Sequence, residues 1–561
     1  MSNMNAQDHL SRALAFGGFF TTIFVAAWWT VEPVNAPKML TLVMTAGACL
    51  AILIASKVNL FFLDRYVTIW SVGFSILSII TLLTSADPFE LNFYGTSGRN
   101  TGVLTYLALV ILFLSSMCLK TFNSIGKVQK GFLFAGLLNV AYCLLSILGL
   151  ELLPWNNIYN TILGTFGNPN FIAAFLGMFG VSILAYSLDR STSIRNRIIV
   201  FSILILVFVE IVKSHAIQGL AVLGLGSALI VWMKLREITA QRLVEVVYLG
   251  VVLSAGLLSV AGALQIGPLT KFIYKSSVSL RGEYWQAGWN MGMQHPITGV
   301  GMDSYGSWYR RARDIHALTM PGVDTTTNAA HNVFIDVLSY GGFPLFIAYI
   351  GILFFVLKSS FRILFRDRKY DYLGVSLVST WACYQAQALI SINQIGIAIW
   401  GWIFGGLIIA YDRISSDPES VPSNSEAAAK GKKVRVQNNS DAGVTLASIF
   451  GLAIALLVSI HPVIADAKWR EAMGSGSAEK LQNAALVWPL DVIRLTQATN
   501  IFIENKLPVP ARLLAEKNVQ KFPESYMAWF SYNQLSDLTD EERILIRREL
   551  NRLDPNNPEF Q

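Results

Sequence analysis

A histidine–asparagine pair, His331-Asn332, closes a long polar stretch running from Pro268 to His331, just before an apolar run opens at Val333. The same stretch carries Arg281, Asp303, Arg310, Arg311 and Arg313, and a further arginine, Arg99, sits in the segment Tyr94-Gly95-Thr96-Ser97-Gly98-Arg99-Asn100. An imidazole titrates near neutrality and can take a proton from a hydroxyl. A guanidinium is always charged, and its planar fork matches phosphate oxygens. A third polar stretch, Gly164-Thr165-Phe166-Gly167-Asn168-Pro169-Asn170, sets asparagines around a proline at a helix start. There asparagine caps, proline fits the first turn, and free N–H groups offer an anion seat. A base beside anion binders suits a phosphate-carrying donor and a hydroxyl acceptor.

Plainer readings stand beside these. A histidine at a helix start can be a solvated or capping residue. Arg281 can pair with Glu283 at the interface. Arg310, Arg311 and Arg313 either hold an anionic acceptor or keep the stretch soluble. Asn168 and Asn170 read as architectural before catalytic. Gly299-Val300-Gly301 with Gly306 imitates a nucleotide loop but follows no strand, which rejects that reading.

The elements that must position these residues are membrane spans. The chain of 561 residues is 53% hydrophobic and only 14% charged, and its mean hydropathy is +0.49. That composition places it in the integral membrane class. The net charge of +7 is spread over short loops, so it signals no nucleic-acid partner. Cys49, Cys118, Cys143 and Cys383 all fall in apolar runs and form neither a disulfide framework nor a metal motif. A span needs about 20 apolar residues. Thirteen runs qualify: 13–31, 38–56, 67–84, 101–119, 131–150, 169–188, 197–212, 217–233, 244–267, 332–357, 372–391, 395–411 and 443–462. The first is read as an uncleaved span. With the N-terminus in the cytoplasm, the short cytoplasmic loops hold 22 Lys/Arg and those opposite hold 3, which sets the orientation. All the polar stretches above, together with the C-terminal tail, then face outward.

The chain divides accordingly into a multi-span membrane domain over 1–411 with its long outer loop 268–331, a cytoplasmic linker over 412–442, a final transmembrane helix over 443–462 and a soluble outer tail over 463–561. The linker is rich in Pro, Ser, Asn and charge without apolar periodicity, so disorder is expected, with its basic cluster available to anionic membrane lipid. In the tail, Pro489, Pro523 and Pro555 recur at spacings of 34 and 32 residues. Helix-like stretches lie between them: 492–504, 511–521, 525–535 and 541–553. A helical hairpin repeating at about 34 residues looks like a tetratricopeptide array. Two repeats and a fraction are too few to stand alone, so the tail is expected to lean on the membrane domain or on an envelope protein. A plain helical cap over the outer loops is the alternative.

Over residues 65–410 the Gly-Asn-Pro-Asn stretch, the segment Arg281-Gly282-Glu283-Tyr284-Trp285 with Gly299-Val300-Gly301 downstream, and His331-Asn332 resemble the O-antigen ligase and O-antigen polymerase superfamily. The resemblance implies an all-α, polytopic, inverting glycosyltransferase of the cytoplasmic (inner) membrane that needs no metal or other cofactor. It implies a donor glycan on undecaprenyl diphosphate and a saccharide, lipid or protein acceptor. It implies His331 as the base, Arg281 as a diphosphate contact, Asn332 as a neighbouring polar group and Arg99 as a further substrate contact. One departure matters. Many members carry a Ser-Arg-Gly-like turn where this chain reads Ser214-His215-Ala216-Ile217-Gln218-Gly219. Lys213, just before it, is the candidate replacement, as a point cation without bidentate recognition. Its bland reading is an ion pair with Glu210.

Two other classes of function compete. A transporter or flippase for a lipid-linked or anionic solute would favour ionisable residues near mid-membrane, and few charges fall inside the runs. A scaffold whose tail recruits envelope proteins leaves the polar constellation unexplained.

Overall fold

The computed structural model describes residues 2–263, 266–268, 270–273, 276–416 and 439–560, and among these the chain is helical with connecting loops and no strand. Each of the thirteen apolar runs overlaps a helix among the described residues. Nine helices among the described residues are long and apolar enough to cross a membrane. Of the rest, Val103–Met117 has 15 residues and Tyr372–Ala388 has 17; Ile194–Lys213 carries Arg195, Arg197, Glu210 and Lys213, and Ser2–Ile23 opens on polar turns.

Side-chain caps start many of these helices. Asp64, Thr121, Asn168, Ser193, Asn332 and Asp371 each accept a hydrogen bond from a backbone N–H in the first turn of the helix that follows. Such bonds satisfy donors that a bilayer would otherwise strand. At the centre of the bundle lies Ile395–Ser416, buried almost throughout, with Trp400 edge-on to Phe132 at 5.2 Å. At its rim, Arg242–Ala263 keeps apolar side chains exposed along nearly its whole length, as a lipid-facing helix must. The helix Asn439–Ser459 lies against Asn35–Ala55 where Gly47 meets Gly451. A Cβ on Gly47 would stand 2.5 Å from the Gly451 carbonyl oxygen, so only small residues permit the approach.

Two expectations change. The first apolar run extends to residue 31, yet its helix ends at Ile23. The following turn, around Trp28-Trp29, is held by the Arg470 guanidinium, which donates to the carbonyls of Ala27 and Thr30. Hydropathy cannot anticipate a turn held by a residue more than 400 positions away. The stretch expected as linker is also shorter at both ends. One helix runs on to Ser416, where Asp412 pairs with Arg366, and the next opens at Asn439. The remainder, 417–438, lies outside the described residues, and so does its expected disorder.

The helix Val333–Phe365 is broken in the middle. Gly341 and Gly342 leave helical geometry, Gly342 at φ +64°, and Pro344 follows. Proline lacks an N–H and its ring displaces the carbonyl four residues back. The carbonyls freed there, those of Ser339 and Tyr340, accept from the Val300 and Gly301 N–H groups, while the Phe343 N–H donates to the Pro296 carbonyl. The glycines that imitated a nucleotide loop therefore repair a broken helix. A Cβ on Gly299 would stand 2.3 Å from the Tyr340 backbone.

The tail forms six helices, His461–Gly474, Ala478–Ala485, Val492–Glu504, Pro508–Lys521, Tyr526–Asn533 and Asp540–Leu553. They share a core around Trp469, Leu495, Phe502, Leu514 and Ile546, into which the short helix Phe89–Tyr94 of the membrane domain inserts Leu91. The long loop completes the docking. Arg313 meets both carboxylate oxygens of Asp554 at 2.8 Å, Arg310 meets one of them at 2.8 Å, and Arg311 pairs with Glu524. These three arginines thus serve neither of the roles expected for them; they clamp the tail to the loop. No local pattern shows this, because their partners lie more than 200 residues away.

Candidate active site

His331 occupies a turn tied on both sides. After it, the Asn332 side-chain oxygen accepts from the N–H groups of Phe334 and Ile335 and caps the broken helix. Before it, the Ala330 N–H donates to Asp336 Oδ1 at 2.8 Å. Asp336, four residues beyond the cap, reaches back one turn and closes the loop. Between these anchors His331 takes φ +56°, a left-handed conformation that costs a non-glycine residue ~1–2 kcal/mol. Held this way, the imidazole lies 5.8 Å from the Tyr284 ring at 32°. Burial, then the positive charges of Arg99 and Arg281, push the His331 pKa down to about 4. The ring is therefore neutral at physiological pH and able to accept a proton.

The two arginines that bear on His331 differ in their circumstances. Arg99 is 4% exposed. Its Nε lies 3.5 Å from Asp303, its Nη2 lies 3.9 Å from Asp336, and its Nη1 donates to the Asn328 carbonyl at 2.8 Å. Asp303 is buried and accepts in addition from the Thr96 N–H, the Thr101 N–H and hydroxyl, and the Tyr340 hydroxyl. This carboxylate ties the turn after Gly95 to the broken helix. Gly95 stands at φ +87°, and a Cβ there would meet Asp303 Oδ2 at 2.6 Å. Arg99 is thus neutralised within a packed ion network.

Arg281, on the long-loop helix Ser276–Gln294, is half-buried, and burial alone pushes its pKa down, with no carboxylate offsetting that effect. The pair with Glu283 that the spacing allows is not formed among the described residues. A guanidinium shielded from water and lacking an anion is a ready seat for one.

The remaining sequence candidates lie elsewhere. Arg99 and Arg281, and not Lys213, act on the titration of His331. Lys213 is exposed at a helix end without the expected Glu210 pair, while Glu210 is buried with both oxygens unpartnered. The Ser214–Gly219 turn instead joins the asparagine motif, through the Gln218 amide donating to the Asn170 carbonyl at 3.4 Å. Asn168 caps its own helix by accepting from the Asn170 N–H at 2.9 Å, with Pro169 in the first turn. Sequence reasoning assigned no role to Asp303, Asp336, Tyr284 or Asn328. Only Asp336 left a signal, by sitting one helical turn past a capping asparagine.

The apolar helices and the constellation at one end of the bundle define a multi-pass helical membrane protein with a polar site built around a neutral histidine. Residues 203–350 match the family model described as O-Antigen ligase. That match covers about a quarter of the chain, spans Arg281, Asp303, His331, Asn332 and Asp336, and supports the resemblance to the O-antigen ligase superfamily over that segment. No curated protein matches the chain.

Proposed function

We propose that this protein is a membrane glycosyltransferase that moves a glycan from an undecaprenyl-diphosphate carrier to a hydroxyl acceptor, saccharide, lipid or protein, at the outer face of the inner membrane. The observation that carries this reading is a neutral His331 set beside a cation, Arg281, that has no carboxylate partner among the described residues. In the reaction the acceptor hydroxyl gives its proton to His331 as its oxygen bonds to the anomeric carbon. The bond from that carbon to the diphosphate oxygen breaks on the opposite face, inverting the centre. The lipid diphosphate departs with both bonding electrons against Arg281. Arg99 acts as a positioning residue, fixing the His331 turn through Asp336 and Asn328. Asn332 holds the same turn by its cap, and Lys213 contributes at most as a peripheral cation. Thirteen spans with the N-terminus inside, and a tail of tetratricopeptide type outside, complete the proposal.

Two ionisable side chains buried within spans support the competing transporter reading: Glu210, and Lys38, whose ammonium donates to the Thr21 carbonyl at 3.2 Å. The test is reconstitution of the purified protein with a cell-derived lipid-linked glycan and candidate acceptors. Wild type is expected to form a product that His331→Ala, at equal folded yield, does not. Movement of labelled lipid across the bilayer without transfer would overturn the enzyme reading in favour of transport.

A further inference from the structure

Between the long loop and the tail lies an open cleft of about 790 Å³, within the roughly 300–1,000 Å³ range of ligand pockets. One wall of it is the segment that leads into the His331 turn. Asn328 lines it and precedes His331 by three residues, at most about 10 Å of chain. The cleft and the site share Asn328, whose carbonyl accepts from Arg99 Nη1. Arg281, the proposed diphosphate seat, stands on a separate helix. A chain lying in the cleft is therefore held near the segment that leads into the His331 turn, at a wall that does not include Arg281.

The walls specify the chemistry of the occupant. The loop side offers Thr326, Thr327 and Asn328, and the tail side offers Gln534 and the Asn500 amide, whose oxygen accepts from the buried Ser531 hydroxyl. Hydroxyls and amides both donate and accept hydrogen bonds, as sugar hydroxyls do. Among them Phe530 is 39% exposed. Its ring is backed by Tyr526, stacked at 5.6 Å and 19°, and Tyr526 is covered in turn by the Arg310 guanidinium at 4.0 Å. That supported flat face fits the C–H face of a pyranose. Charge excludes a polyanion. Arg310, the cation in the wall, is consumed by Asp554 and by the Val323 and Asp324 carbonyls, and the other charged wall residue, Asp324, is an exposed carboxylate.

We propose that this cleft binds the chain of a neutral, hydroxyl-rich acceptor glycan and presents its terminal hydroxyl to His331, so that the tail takes part in choosing the acceptor. This rests on the glycosyl-transfer reading above. The test uses full-length protein in nanodiscs and a neutral oligosaccharide ladder, released from the cell's own envelope glycan and labelled at the reducing end. Wild type is expected to retain longer rungs more tightly than short ones. Phe530→Ala and Gln534→Ala are each expected to weaken retention of long rungs by about 5- to 10-fold, the scale of one lost stacking or polar contact. Val509→Ala, exposed on the tail outside the cleft, is expected to bind as wild type. Retention that ignores Phe530, no retention by wild type, or Phe530-dependent capture of a labelled peptide digest in place of the ladder would each overturn the proposal. If Phe530-dependent retention holds while reconstitution yields no transferred glycan, the transfer reading fails and the cleft remains a glycan site.

Discussion

Two arginines beside one histidine should fail in opposite ways. Arg281 has no carboxylate partner among the described residues, so Arg281→Ala orphans none of them. Its effect on folding is expected within about 0.5 kcal/mol, as for a substitution away from the core. Against a diphosphate, one to two charge-assisted hydrogen bonds are lost, about 2–4 kcal/mol. At 1.36 kcal/mol per decade this lowers kcat/KM for the lipid-linked donor by roughly 30- to 1,000-fold. Arg281→Lys keeps the charge without the fork and is expected to fall between wild type and Ala. Arg99→Ala removes the cation between two buried carboxylates, Asp303 and Asp336. Breaking a buried pair costs about 3–5 kcal/mol, a large share of the roughly 5–15 kcal/mol that holds a domain folded. It is expected to lose folded yield and melt early before its activity can be compared. The assay is thermal unfolding in detergent beside donor-dependent transfer for the four proteins. An Arg99→Ala that melts like wild type but does not transfer, together with a fully active Arg281→Ala, would refute the division of roles.

Catalysis should also report the His331 titration. The neutral ring is the active form and its pKa is pushed down to about 4, so kcat/KM is expected to stay flat from neutrality downward and to fall only as pH drops through about 4. Arg281→Ala, by removing one of the two charges that lower it, is expected to move that acid limb upward; a limb that stays in place separates Arg281 from His331. Asp554→Ala leaves Arg310 and Arg313 buried without their shared carboxylate and is expected to loosen the tail, read as faster protease release of a C-terminal fragment and increased amide exchange over 305–325. Unchanged protection would show that the arginine clamp is dispensable for docking. Gly342→Ala places a Cβ 2.4 Å from the Pro296 carbonyl oxygen at a positive φ, whereas Gly250→Ala meets nothing within 4 Å. The first is expected to lower the yield of folded protein several-fold and the second to leave it unchanged, compared by size-exclusion chromatography; equal yields would show that the helix break adapts to a side chain.

Local chemistry was readable in one dimension. Apolar runs of span length mark the helices because the bilayer demands internal hydrogen bonding over a set thickness. Asn168 announced a helix start because a cap acts within three residues of itself, whereas the cap formed by Asn332 emerged from the structure. The tail helix Val492–Glu504 stands where its periodicity placed it. Residue type and position also singled out His331 and Arg281, whose roles as base and anion seat are the proposal made above.

What each charge is for was decided by the tertiary structure alone. Arg99, Arg281 and Arg313 are the same residue in similar polar stretches. One is neutralised between Asp303 and Asp336, one has no carboxylate among the described residues, and one clamps Asp554. Ion pairing between residues more than 200 positions apart leaves no period in the sequence. The turn after Ile23 and the break at Gly341-Gly342 were hidden for the same reason. Each is held by hydrogen bonds from a distant segment, Arg470 in one case and Pro296 to Gly301 in the other. Hydropathy sums over neighbours in the chain, and these bonds join neighbours in space.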